Sequence, residues 1–154
     1  MNSNTRNELE ILLKNPDFLS EERYMLSIPK KYKEDLRIKD HPDNKCHCFC
    51  YTLKSKSANK HSILNLIGNT ELIKKIKPGN IIANDIVLYF SKNIREPLHI
   101  GRIIDKNLVE SKWNLGPVLE HPIWLVPTSF GDREEYYRIV NQSQALKFME
   151  SSQS

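Results

Sequence analysis

The strongest constraint on the fold is a change of hydrophobic period near Gly79. Beyond it the apolar residues fall into short β-branched and aromatic runs at 86–90, 98–104, 108–113 and 136–140, each bounded by turn residues. Such runs build strands, and Lys106-Asn107 supplies a tight turn between two of them. The second half of the chain therefore reads as an antiparallel sheet.

Ahead of Gly79 the spacing is helical. Leu9, Leu12 and Leu13 share one face of a helix over 7–14, which the Asn15-Pro16 step ends because proline pushes the preceding residue out of helical conformation. Ser20, followed by Glu21 and Glu22, caps a second short helix toward Leu26. Ile63, Leu64 and Ile67 predict another, stopped at Gly68-Asn69, and residues 71–76 a further helical piece that stops at Lys77-Pro78-Gly79. The stretch 30–45 is charged, broken by Pro42 and without apolar period, so it reads as a connection. Helices first and a strand meander afterwards is an α+β order, with N-terminal helices packed on an antiparallel sheet. The expected divisions are a helical extension at 1–40, the main domain at 41–141, and a short C-terminal helix with a frayed tail at 142–154.

With 154 residues, 39% of them apolar, the chain can enclose one real core. Its net charge of +4, from 23 basic and 19 acidic residues, is small and dispersed, so no nucleic-acid partner is expected. No stretch approaches the roughly 18 apolar residues of a membrane span, and the first residues lack the apolar core of a secretory signal. The reading is a cytoplasmic protein where it is made, with delivery to another cell left open. Three cysteines at 46, 48 and 50 make no disulfide framework, so reduced thiols are expected.

Cys48 is the first candidate for chemistry. A helix starting near His47 or Cys48 and running through Tyr51 and Leu53 would put this thiol in its first turn, where backbone amides favour thiolate and oxyanion alike. His99 is the candidate base, set early in a strand and followed by Gly101, where a missing side chain lets another element approach. After the Lys106-Asn107 turn the next strand brings Glu110 or Ser111 toward His99 as an orienting partner. Cys46 and Cys50 read as packing residues, Lys112 as a solvated strand residue, and His121 before Pro122 as a turn residue. A zinc site built on the cysteines with His41, His47 or His61 is the weaker alternative, since Cys-x-Cys-x-Cys lacks the paired-knuckle spacing. No metal or cofactor is expected.

The ordered set Cys48-Phe49-Cys50-Tyr51-Thr52-Leu53, Pro78-Gly79 with Asp85-Ile86-Val87-Leu88-Tyr89-Phe90, His99-Ile100-Gly101-Arg102 and Val109-Glu110-Ser111-Lys112-Trp113 resembles the motifs of NlpC-type papain-like cysteine hydrolases. Glu120-His121-Pro122 and Phe130-Gly131-Asp132 extend the likeness to a bacterial branch of that superfamily, over about residues 44 to 140. The resemblance implies a papain-like fold, a nucleophile at Cys48, a base at His99 and a third polar group at Ser111, with Glu110 or His121 as substitutes. It departs from cell-wall hydrolases at His47-Cys48-Phe49-Cys50, where those enzymes carry Asp-Cys-Ser-Gly. The expected activity is hydrolysis or acyl transfer on an amide or ester of a peptide, protein or other amide-containing substrate. The alternative is a catalytically inactive papain-like module that binds a protein partner.

Overall fold

Alternation along the strands decides which residues meet. In a computed structural model, which describes residues 3–15, 28–40 and 46–151, the described residues form four α-helices and a seven-stranded sheet. The helices are α1 (Ser3–Lys14), α2 (Cys48–Leu53), α3 (Lys60–Ile67) and α4 (Gln142–Ser151). The strands are β1 (Arg37–Asp40), β2 (Ile73–Ile76), β3 (Ile86–Phe90), β4 (Pro97–Asp105), β5 (Leu108–Lys112), β6 (Val118–Pro122) and β7 (Arg133–Ile139). They lie in the order β1-β6-β5-β4-β3-β7-β2, and every neighbouring pair is antiparallel. The α+β class and the antiparallel sheet expected from the sequence are both present.

Both faces of the sheet are covered. On one, Leu9 and Leu12 of α1 join Tyr32 and Val126 over Val87, Tyr89, Val109 and Trp113. On the other, Phe49 and Leu53 of α2, Ile63 and Leu66 of α3, and Ala145 and Met149 of α4 cover Ile86, Leu88 and Ile100. Strand β3 is buried at all five positions because it contributes to both layers, and each fully buried Leu or Ile is worth about 1.5–3 kcal/mol. Helix α3 begins with a reciprocal cap: Asn59 Oδ1 accepts from the amides of His61 and Ser62, and Ser62 Oγ accepts from the Asn59 amide. Asp85, at the entrance to β3, accepts two bonds from the Arg138 guanidinium at 2.7 and 2.9 Å and one from the Ile82 amide at 2.9 Å, tying β3 to β7.

Three expectations are corrected here. Residues 73–76 form strand β2, not a helix, because Ile73 and Ile76 pair with Ile139 and Tyr136 of β7 and pack on opposite faces of the sheet. Edge pairing and burial override the local helical spacing. Residues 37–40, expected in a connection and within an N-terminal extension, are instead strand β1 beside β6, so the sheet crosses the expected boundary at residue 40. Residues 118–122, with His121, are strand β6 and not a turn. The helix expected at 20–26 and the tail at 152–154 lie outside the described residues. No described helix is long and apolar enough to cross a membrane.

Candidate thiol site

Helix α2 starts at Cys48, as its sequence predicts, with His47 as the extended residue before it and Lys54 closing it in the left-handed conformation. Its thiol is buried, 7% exposed, and packs with Phe49 and Ile100. The backbone amides of Ile100, Phe49 and Cys48 itself point at the sulfur and favour its ionised form. The Ile100 amide belongs to the peptide that joins His99 to Ile100, so the sulfur rests against the strand segment that carries the histidine, but on the Ile100 face, whereas the His99 side chain points to the opposite face of the sheet. Burial nonetheless outweighs the amides, and the Cys48 thiol is pushed up to about 12. The thiolate expected from helix position alone is therefore overturned: at neutral pH this is a protonated thiol.

Cys46 and Cys50 are joined as a disulfide with Cα atoms 5.8 Å apart, which corrects the expectation of three reduced thiols. Cys46, two residues before the helix, and Cys50, its third residue, are close enough to bond. Cys48 is the free cysteine between them, and the disulfide withdraws its two neighbours from metal ligation. Among the described residues no group of three or more His, Cys, Asp or Glu side chains is placed to hold a metal ion.

The His99 ring is fully enclosed. It stacks on Phe130, with centroids 3.9 Å apart, and tilts against Tyr89 at 5.5 Å. Burial first, and the nearby His121 second, hold its pKa well below the ordinary value, so it is neutral at pH 7. Its Nε2 has no hydrogen-bond partner among the described residues, and none of the described hydrogen bonds joins it to Cys48. Gly101 does let another element in close: a Cβ there would meet Val109 Cγ1 at 2.4 Å and Ser111 Cβ at 3.3 Å. The element is β5, which closes onto β4 beside His99.

The two proposed orienting residues go elsewhere. Strands β4 and β5 pair Arg102 with Glu110, so these two face away from His99. Glu110 there accepts from Tyr51 of α2 at 2.7 Å and pairs with Lys39 of β1 at 2.5 Å, which together hold its carboxyl below the usual range despite partial burial. Ser111 shares the His99 face, but its hydroxyl is committed. Because the Pro122 carbonyl can only accept, the His121 Nδ1–H donates to it at 2.7 Å, which leaves Nε2 as an acceptor. Ser111 Oγ–H donates to that Nε2 at 2.6 Å and accepts from Trp113 Nε1 at 3.2 Å. Trp113, Ser111 and His121 thus form one buried relay across β5 and β6, with the His121 imidazole lowered to about 4 by burial.

Several participants were not evident from sequence. Lys112, read as solvated, is fully buried and donates to the Gly116 carbonyl at 2.8 Å. Arg6 is buried on α1 and donates to the carbonyls of Val126, Pro127 and Gly131, fixing the loop that carries Phe130 onto His99. Only the Phe130-Gly131 motif gave a signal for that contact; an arginine in an amphipathic helix gives none. No family model, curated protein or solved structure matches the chain, so what these residues do is inferred from their own geometry.

Proposed function

We propose that the chain is a thiol hydrolase of papain-like type, in which Cys48 attacks an amide or ester carbonyl and His99 serves as the base. The observation that carries this is the seat of the Cys48 sulfur, at the first turn of α2 and against the amide of the peptide after His99. The pair works as a neutral thiol and a neutral imidazole, not as a preformed ion pair, because burial disfavours both charges. The His99 ring stacks on Phe130 in the layer opposite the one in which Cys48 packs with Ile100, so catalysis requires a rearrangement that brings ring and thiol together. His99 then removes the thiol proton as the sulfur bonds to the carbonyl carbon, and returns it to the leaving amine or alcohol. Water then cleaves the acyl-enzyme. The amides at Cys48, Phe49 and Ile100 are the donors available to a developing anion.

The test is alkylation of native, unreduced protein by a peptidyl acyloxymethyl ketone, with peptide mapping, in wild type and His99→Ala. Loss of a general base costs about 10²–10⁴-fold, so labelling at Cys48 should fall by at least about a hundredfold in the variant. Equal labelling of both proteins would remove His99 from the mechanism.

A second reading, a partner-binding module without catalysis, is favoured by one observation: Cys48 and His99 are both closed in, on opposite faces of the sheet, and no described hydrogen bond joins them. Absence of labelling in wild type, with Cys48 alkylated only after unfolding, would establish that reading instead.

A further inference from the structure

The sheet face that α3 covers carries polar side chains where apolar ones are usual. Along β7, Arg133, Glu135 and Tyr137 pair with Phe90, Leu88 and Ile86 and so point to the helix-covered side with those core residues. Lys75 of β2 faces the same way because it pairs with Tyr137. Helix α3 does not close over them. A cavity of about 540 Å³ remains between Leu64 and Ile67 of α3 and the row of Phe90, Arg133 and Tyr137. A second cavity of about 430 Å³ shares Ile67, Lys75 and Tyr137 with it and runs on to Ile73.

The charge of the first cavity is unbalanced. Lys75, Arg95 and Arg133 line it with a single carboxylate, Glu135. One oxygen of Glu135 is shared between Lys75 Nζ at 2.8 Å and Arg133 Nη1 at 3.1 Å, and the other accepts from Tyr137 at 3.3 Å. The Arg133 guanidinium also lies over the Phe90 ring, 4.4 Å from its centroid. Arg95 has no acidic partner within ion-pair distance among the described residues.

We propose that this cavity binds a small molecule carrying one anionic group on an apolar body, with the anion at Arg95 and Arg133 and the body between Leu64, Ile67 and Phe90. The volume lies within the range of about 300–1,000 Å³ common to small-molecule sites. Two guanidinium groups suit a carboxylate, sulfonate or phosphate better than any neutral polar group. An apolar floor continuing toward Ile73 accommodates a ring or short chain and disfavours a bare anion. The site is independent of the thiol reading.

The experiment is fluorescence titration of the native protein with anilinonaphthalene sulfonate, and with its uncharged parent phenylnaphthylamine and inorganic phosphate as comparison ligands. One saturable sulfonate site per chain is expected, binding more tightly than either comparison ligand. Arg95→Gln should weaken it by about threefold, and the Arg95→Gln/Arg133→Gln pair by at least about tenfold, as expected for lost charge-assisted bonds. Phenylnaphthylamine binding should stay unchanged. A variant that misfolds would change phenylnaphthylamine binding as well, so the unchanged neutral ligand separates loss of the anion contact from loss of the fold. Arg95→Gln removes no recorded contact of the fold and keeps the test valid if the double variant is unstable. Sulfonate binding indifferent to both variants, phosphate binding as tightly as the sulfonate, or binding without saturation would overturn the proposal.

Discussion

Replacing Ser111 by alanine separates a structural role for this residue from a catalytic one. Its hydroxyl is fully buried, donates to His121 Nε2 at 2.6 Å and accepts from Trp113 Nε1 at 3.2 Å. The substitution leaves His121 Nε2 without its donor in a dry layer, which costs about 1–3 kcal/mol, and removes one bond of the indole, worth about 0.5–1.5 kcal/mol. A total of about 2–4 kcal/mol follows, or a fall in Tm of about 6–12 °C near the middle of that range for a domain of this size. Urea unfolding followed by tryptophan fluorescence reads it directly, since Trp113 is fully buried. In the same preparation the rate of Cys48 labelling should stay within about threefold of wild type, because Ser111 makes no recorded bond to His99. A loss of stability below about 1 kcal/mol together with a more than tenfold loss of labelling would show that the relay reasoning is wrong and that Ser111 positions the base.

Gly131 has φ +112°, and a Cβ there would meet the Phe90 carbonyl oxygen at 2.4 Å, so Gly131→Ala should cost at least about 3 kcal/mol by urea unfolding. Gly79→Ala, where a Cβ meets nothing within 4 Å, should fall within about 0.5 kcal/mol of wild type; equal effects at the two glycines would contradict the packing described. The folded pKa of His121 is about 4, below its unfolded value of about 6.5, so the unfolded chain takes up that proton first as pH falls. Stability should therefore drop between about pH 6.5 and 4, by about 3 kcal/mol from His121 alone, with His99 acting in the same direction; urea midpoints that hold level across this window would count against both assignments. Glu110→Gln should leave the dependence of Cys48 labelling on His99 unchanged, since that carboxylate serves Tyr51 of α2 and Lys39 on the side of the sheet opposite the His99 ring, and loss of that dependence would revive it as the orienting group.

Much of this protein follows from sequence alone. The change of period at Gly79, the four apolar runs that became β3, β4, β5 and the end of β7, and the helix beginning at Cys48 all rest on local spacing, which neighbouring residues fix between themselves. Alternation likewise put His99 and Gly101 on one face, but the choice between Glu110 and Ser111 beside them waited on the register of β4 and β5, which the pairing of Arg102 with Glu110 settles for Ser111. Edge strands β1 and β2 could not be read, because a four-residue strand is held by the partner it pairs with, and neither partner is a sequence neighbour. The states of the chemical groups were equally out of reach. A thiol at a helix start reads as acidic and a strand histidine as titratable, yet burial in the layer shared with Ile100 raises the one, and burial beneath Phe130, on a loop held by Arg6, lowers the other. Ser111 makes the distinction most sharply: its place in the strand is local, but its hydroxyl goes to His121 because β6 lies beside β5, and desolvation rewards whichever buried partner the tertiary structure supplies.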